Sequence, residues 1–267
     1  MALRNWIPIV LAASCLVSGS CARWHSAPML PARNSIVLDQ LVVFSDSPLP
    51  EHHRLLEELR SQRTLVSTKL QLPISDEPIH IYLFPTSEKL DTFMRVNYPA
   101  MPQRRAFFVE SDTRLSVYAY WGDRVAEDLR HEVAHGYLHA AVPHLPLWLD
   151  EGLAEYFEVP RGQGGLNRPH LDQLADALSG SWRPDLQRLE QLRATGEMTQ
   201  REYAESWAWV HFLLESSPQR LGVLQSYLQT LNKSQAPEYI SEALRRTDPA
   251  YVQQMADYIL VLRQSLR

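Results

Sequence analysis

Two histidines and a glutamate stand close together in His131-Glu132-Val133-Ala134-His135. On a helix, a spacing of four residues turns about 40° past one full turn and rises about 6 Å, so both imidazoles leave the same face and can close on one metal ion. Glu132 sits one residue on, where its carboxylate flanks such an ion without binding it. From there it can take a proton from a water that the metal has made acidic and pass it to a leaving amine, which is metal-assisted hydrolysis. Chance alone produces this pattern in roughly one chain in a hundred of this length. The rest of a site must therefore be found.

A catalytic zinc takes three protein ligands and keeps a fourth position open. Downstream, Leu147-Trp148-Leu149-Asp150-Glu151-Gly152-Leu153-Ala154-Glu155-Tyr156-Phe157-Glu158 offers carboxylates. Pro143 and Pro146 end the first helix and reverse the chain, so a second helix packs on the first with Glu151 expected in its first turn, near the positive helix end. Glu155, one turn on, shares that face and is the rival third ligand.

These two motifs together resemble the gluzincin zinc metallopeptidases, the peptidase MA-like and aminopeptidase-N-like families, in which HExxH is followed by W-L-[ND]-E-G-x-A. The resemblance implies Zn2+ held by His131, His135 and Glu151, with Glu132 as general base. Glu155 is then expected to support a ligand by a hydrogen bond, and Asp150 either orients a ligand imidazole or caps its helix. His139, one further helical step along, reads as a surface histidine. A metzincin site is excluded, because Leu138 and Ala141 occupy the positions where that class needs Gly and His.

Tyr203-Ala204-Glu205-Ser206-Trp207-Ala208 extends the resemblance to the gluzincin helix that opens with a catalytic tyrosine. It implies that the Tyr203 phenol donates to the oxyanion of the attacked carbonyl, although Tyr203, Trp207 and Val210 also fit a core stripe at i, i+4 and i+7. The G-x-M-E-N segment that grips a free substrate N-terminus in the aminopeptidases is absent between Arg104 and Arg130. The expected activity is thus endopeptidase cleavage of a peptide or protein substrate. The resemblance covers residues 123–216.

The elements that must position these residues divide into two parts. Ile36–Leu38, Leu41–Phe44, Ile79–Phe84, Ala106–Val109 and Leu115–Tyr120 have strand character, the last two forming a hairpin. A helix after Pro48 and Pro50 carries Leu55, Leu56, Leu59 and Leu65, and a shorter one spans Thr86 to Val96. From Gly122 the pattern turns helical. The HExxH helix is expected from a cap at Asp123 to about Ala141, Thr199 to Glu202 forms a capping box, and Asp248-Pro249 opens the last helix. The fold class is therefore α+β: zincin-like, with an α+β lobe over 36–122 and a helical zinc-binding lobe over 123–267 that form one continuous catalytic unit. The resemblance places the substrate-pairing sheet edge at Leu115–Tyr120.

Residues 1–20 read as a signal peptide, with Arg4 before an uncharged stretch that is too short and too diluted by Pro8 and serines to span a membrane. Val17-Ser18-Gly19-Ser20-Cys21 resembles a bacterial lipoprotein signal, with Cys21 as the lipid acceptor and Cys15 as a second candidate; residues 21–35 form a tether. The protein is then expected to be exported to the cell envelope and anchored to a membrane, facing the periplasm or exterior. The chain has no further cysteine, which excludes a disulfide and a thiolate metal site in the mature domain. A net charge of −5 with no basic run excludes nucleic acid as a partner. The competing class is a non-enzymatic envelope lipoprotein that uses a zincin fold as a binding or assembly module. Three protein ligands in place of four, together with a Glu132 that has no ligand role, favour the enzyme.

Overall fold

The computed structural model describes residues 29–50 and 52–266. The expected leader, both cysteines and residues 21–28 of the expected tether lie outside them. The end of that tether instead joins the sheet: Asn34 and Ser35 open strand β1 (Asn34–Leu38).

Strand β2 (Leu41–Ser45) returns antiparallel to β1. Helix α1 (Arg54–Leu70) leads to β3 (Ile79–Phe84), α2 (Ser87–Asn97) follows, and β4 (Ala106–Ser111) and β5 (Arg114–Tyr120) form the expected hairpin. The spatial order is β1-β2-β3-β5-β4, with β2, β3 and β5 mutually parallel. Because β5 lies between β3 and β4, it is not the sheet edge; β4 is. The hairpin folds outward once β5 has paired parallel to β3, so the earlier strand of the hairpin takes the free side.

Parallel strands need cover on both faces, and strand alternation supplies it. Leu41, Val43, Ile79, Ile81, Val117 and Ala119 point into the larger core. On the other face Phe44, Tyr82 and Tyr118 stack in a row at centroid spacings of 5.2 and 5.4 Å, with Phe93 of α2 against them. Tyr118 is thus sheet packing. In α1 the buried stripe is Leu55, Leu56, Leu59, Val66 and Leu70, whereas Leu65 is 47% exposed because it falls off that stripe.

The remainder is helical, as expected: α3 (Val125–His139), α4 (Leu147–Phe157), α5 (Arg168–Leu178), α6 (Leu186–Leu189), α7 (Gln200–Glu215), α8 (Pro218–Asn232), α9 (Ile240–Thr247) and α10 (Tyr251–Ser265). The fold is α+β. Thr199 and Glu202 make the reciprocal capping box at α7. Asp123 does not cap α3; Arg124 holds the cap position and the Val125 amide bonds to the Gly122 carbonyl. Nor does Asp248-Pro249 open α10, since Asp248 ends α9 and its carboxylate is taken by Arg220 at 2.6 Å. Among the described residues no helix is long and apolar enough to cross a membrane.

Two glycines set how closely the site-bearing helices pack. A Cβ on Gly136 would lie 2.9 Å from an Ile79 methyl, so its absence lets α3 lie directly on the sheet. A Cβ on Gly152 would lie 2.6 Å from the Ser206 carbonyl oxygen, so α4 can cross α7 backbone against backbone only with glycine there. Helix α4 is thereby held between α3 and α7.

Candidate metal centre

His131 and His135 leave α3 one turn apart, facing α4, and α4 runs antiparallel to α3. That pairing matches the two ends: His135 meets Asp150 near the start of α4, and His131 meets Glu158 just past its end. His135 Nδ1 lies 2.8 Å from Asp150 Oδ1 and His131 Nδ1 lies 3.0 Å from Glu158 Oε2. A carboxylate only accepts, so both Nδ1 atoms carry a proton, and in the neutral form that binds a metal both Nε2 atoms present lone pairs. Those two Nε2 atoms face each other at 3.2 Å.

Glu151 Oε2 completes the group at 3.5 Å from His131 Nε2 and 3.7 Å from His135 Nε2. It is buried and has no hydrogen-bond partner. Two lone pairs and an unpaired carboxylate oxygen directed at one point is an arrangement that a bound cation would satisfy. A point equidistant from the three atoms lies about 2.0 Å from each, the length of a zinc bond to nitrogen or carboxylate oxygen. The residues fit a metal of zinc's size and ligand preference.

Two neighbouring groups also bring metal-binding side chains together: His135 with His139 and Asp150, and His131 with Glu155 and Glu158. Both are already satisfied by hydrogen bonds. His139 donates to two carboxylates, from Nδ1 to Glu110 at 2.7 Å and from Nε2 to Asp150 at 3.0 Å. Glu155 accepts from His170 at 2.9 Å and from Asn167 at 3.1 Å.

The electrostatics agree with the contacts. Burial alone would discharge His135, but Asp150 and Glu151 reverse this and push its pKa up to about 10. His131 is likewise raised against burial by Glu151 and Glu158. Burial works against ionising Glu151, yet the two imidazoles facing it hold its carboxyl down to about 2. Each direction says that the pocket favours positive charge at the point the three donors share. Glu132 is raised from its ordinary value, mainly by burial, with the imidazoles and Arg104 pulling it back.

Sequence reasoning placed the donors, and the structure brings all of them together, but it assigned their supports differently. Asp150 is the partner of His135 and not a cap; Pro146 holds the cap position. Asp150, not Glu151, lies in the first turn of α4. Glu155 touches no donor imidazole, because the antiparallel crossing sends His131 to Glu158 instead. His139 is no surface histidine, being tied between Glu110 on edge strand β4 and Asp150, with Phe108 of β4 against its ring at 5.0 Å. Glu110, Phe108 and Arg104 had no signal in the sequence, since each reaches the site from a segment without a motif, and Glu158, at the end of the second motif, was not singled out there.

A cleft of about 1050 Å³ opens over the centre. Its walls include His131 and Glu132 of α3, Gln103 to Arg105 before β4 and Ala106 at its start, residues 167–170 at the start of α5, and Tyr203. Tyr203 is half-buried on the fourth residue of α7, whereas Trp207 and Val210 below it are buried in the core. The cleft is therefore where the Tyr203 ring ends, and its hydroxyl accepts a hydrogen bond from Arg104 Nη2 at 3.1 Å.

Such a centre, two imidazoles and a carboxylate with an unbound glutamate beside them, defines a candidate hydrolytic metal site. Residues 125–237, from α3 to just beyond α8, match a protein family described as a protein of unknown function (DUF1570). That span contains the three donors, Glu132 and Tyr203 and excludes the whole sheet and Arg104. No curated protein matches the chain.

Proposed function

We propose that this protein is a zinc-dependent metallopeptidase of gluzincin type, an endopeptidase of the cell envelope anchored through Cys21. The observation that supports it most is the convergence of His131 Nε2, His135 Nε2 and the partnerless Glu151 Oε2 beneath an open cleft. His131, His135 and Glu151 would hold the metal, which when bound supplies a Lewis acid that acidifies water and polarises a carbonyl.

The chain's own residues do the remaining work. Asp150 and Glu158 keep both imidazoles in the ligating tautomer and raise their basicity. Glu132, with its proton affinity raised by burial, takes a proton from the attacking water and delivers it to the departing amine nitrogen. Tyr203 donates its phenol proton to the carbonyl oxygen as charge develops there. The segment between Arg104 and Arg130 does not reproduce the G-x-M-E-N grip on a free amino terminus, which favours internal cleavage of a peptide. Zinc analysis of the purified mature chain beside His131→Ala, His135→Ala and Glu151→Ala tests the ligand set. About one zinc per wild-type chain, largely lost in each variant, is the expected result; zinc retained in all three would sink it.

A further inference from the structure

Arg104 stands on the stretch between α2 and β4, outside the span that matches a known family, and Tyr203 stands on α7 across the cleft. The two walls are joined here by a bond between residues 99 positions apart in the chain. Neighbouring arginines are neutralised by carboxylates: Arg105 by Asp128 at 2.7 Å, and Arg124 by Glu127. Among the described residues Arg104 has no such ion pair, and its hydrogen bond goes to the Tyr203 hydroxyl. Its side chain lines the cleft together with His131, Glu132 and Tyr203, where the Glu151 and Glu132 carboxylates favour its charge against partial burial.

We propose that Arg104 is a positioning residue for the Tyr203 phenol, holding it across the cleft so that its single proton faces the carbonyl oxygen under attack. This rests on the peptidase reading of the site. The physical reason is the donor count. A phenol has one proton and can accept through its oxygen, while a guanidinium only donates. Once Arg104 occupies the acceptor side of Oη, the phenol proton must point elsewhere, and the cleft is the open direction. The charge-assisted bond also polarises the hydroxyl and makes it a stronger donor. Arg104 is itself exposed, so replacing it leaves the core intact.

The test is a double-mutant cycle on a peptide that the zinc-loaded wild type cleaves. Arg104→Ala should lower kcat about tenfold or more with KM nearly unchanged, Arg104→Lys should recover part of it, and Arg104→Ala/Tyr203→Phe should be no slower than Tyr203→Phe alone. Additive losses would overturn the proposal. So would a loss confined to KM and to peptides with a free C-terminal carboxylate, which would make Arg104 a carboxylate clamp. A second readout needs no substrate: the Tyr203 Cζ signal of [13C]tyrosine-labelled protein, assigned by its disappearance in Tyr203→Phe, should shift in Arg104→Ala. An unmoved signal overturns the proposal. Failure of the peptidase reading shows separately, as absence of any cleavage that Glu132→Gln abolishes, and the Cζ shift still decides the Arg104 bond.

Discussion

Replacing Asp150 by alanine should weaken zinc binding without removing a ligand, and the size of the effect follows from what Asp150 touches. Its two oxygens accept from His135 Nδ1 at 2.8 Å and from His139 Nε2 at 3.0 Å. Without them His135 can rotate and its Nε2 becomes less basic, the kind of loss that costs about 10–100-fold in metal affinity. That range corresponds to about 1.4–2.7 kcal/mol. Two largely buried N–H groups would also be left without acceptors, at about 1–3 kcal/mol of folding stability each. Glu158→Ala should act similarly through His131, whereas Glu155→Ala, whose carboxylate accepts from His170 and Asn167 and from neither donor imidazole, should stay within about threefold of wild type. Competition against a fluorescent zinc chelator, with thermal unfolding alongside, measures both quantities. The reasoning is refuted if Asp150→Ala binds zinc as tightly as wild type, or if Glu155→Ala is the weaker binder of the two.

Gly152→Ala should drive α4 away from α7, because its new methyl would sit 2.6 Å from the Ser206 carbonyl oxygen, costing about 1–3 kcal/mol; a melting temperature equal to wild type would show that the crossing has slack. Tyr203→Phe should reduce turnover about 10²–10³-fold with zinc content preserved, and an unchanged rate would make the ring a packing residue. His211, buried beside Tyr258, has its pKa pushed down to about 4 by burial. A lowered folded-state pKa means that the unfolded chain binds the proton first, so this contribution is present above pH ~6.5 and is lost as pH falls toward 4, by about 2–3 kcal/mol. His211→Gln should therefore flatten the fall in melting temperature across that window; an identical pH profile would reassign it. Cys21→Ser should move the protein from the membrane fraction to the soluble one, while release by Cys15→Ser alone would relocate the anchor.

The parts of the site carried by local periodicity were legible in the sequence. His131, Glu132 and His135 declare themselves by helical spacing, the five strands by short apolar runs bounded by polar turns, and α7 by its capping box. Glu155 lies on α4 and Glu158 caps its end, and only the antiparallel crossing of α3 and α4 decides which of them reaches His131. Arg104 and Glu110 arrive from a loop and an edge strand, and no local pattern marks either. Sheet order was also hidden, since a hairpin can add to a sheet by either strand; that choice moved the free edge from β5 to β4. Asp123 and Asp248 had the composition of helix caps, but Asp248 was recruited by Arg220 on another helix.

The most direct test of the central claim is the hydrolysis of a peptide library by zinc-loaded wild type and Glu132→Gln, assayed side by side at matched zinc content. Glutamine keeps the shape and removes the base, so cleavage should fall by at least about 10²–10⁴-fold while the metal stays bound. Equal cleavage by the two proteins, at equal zinc, would contradict the account.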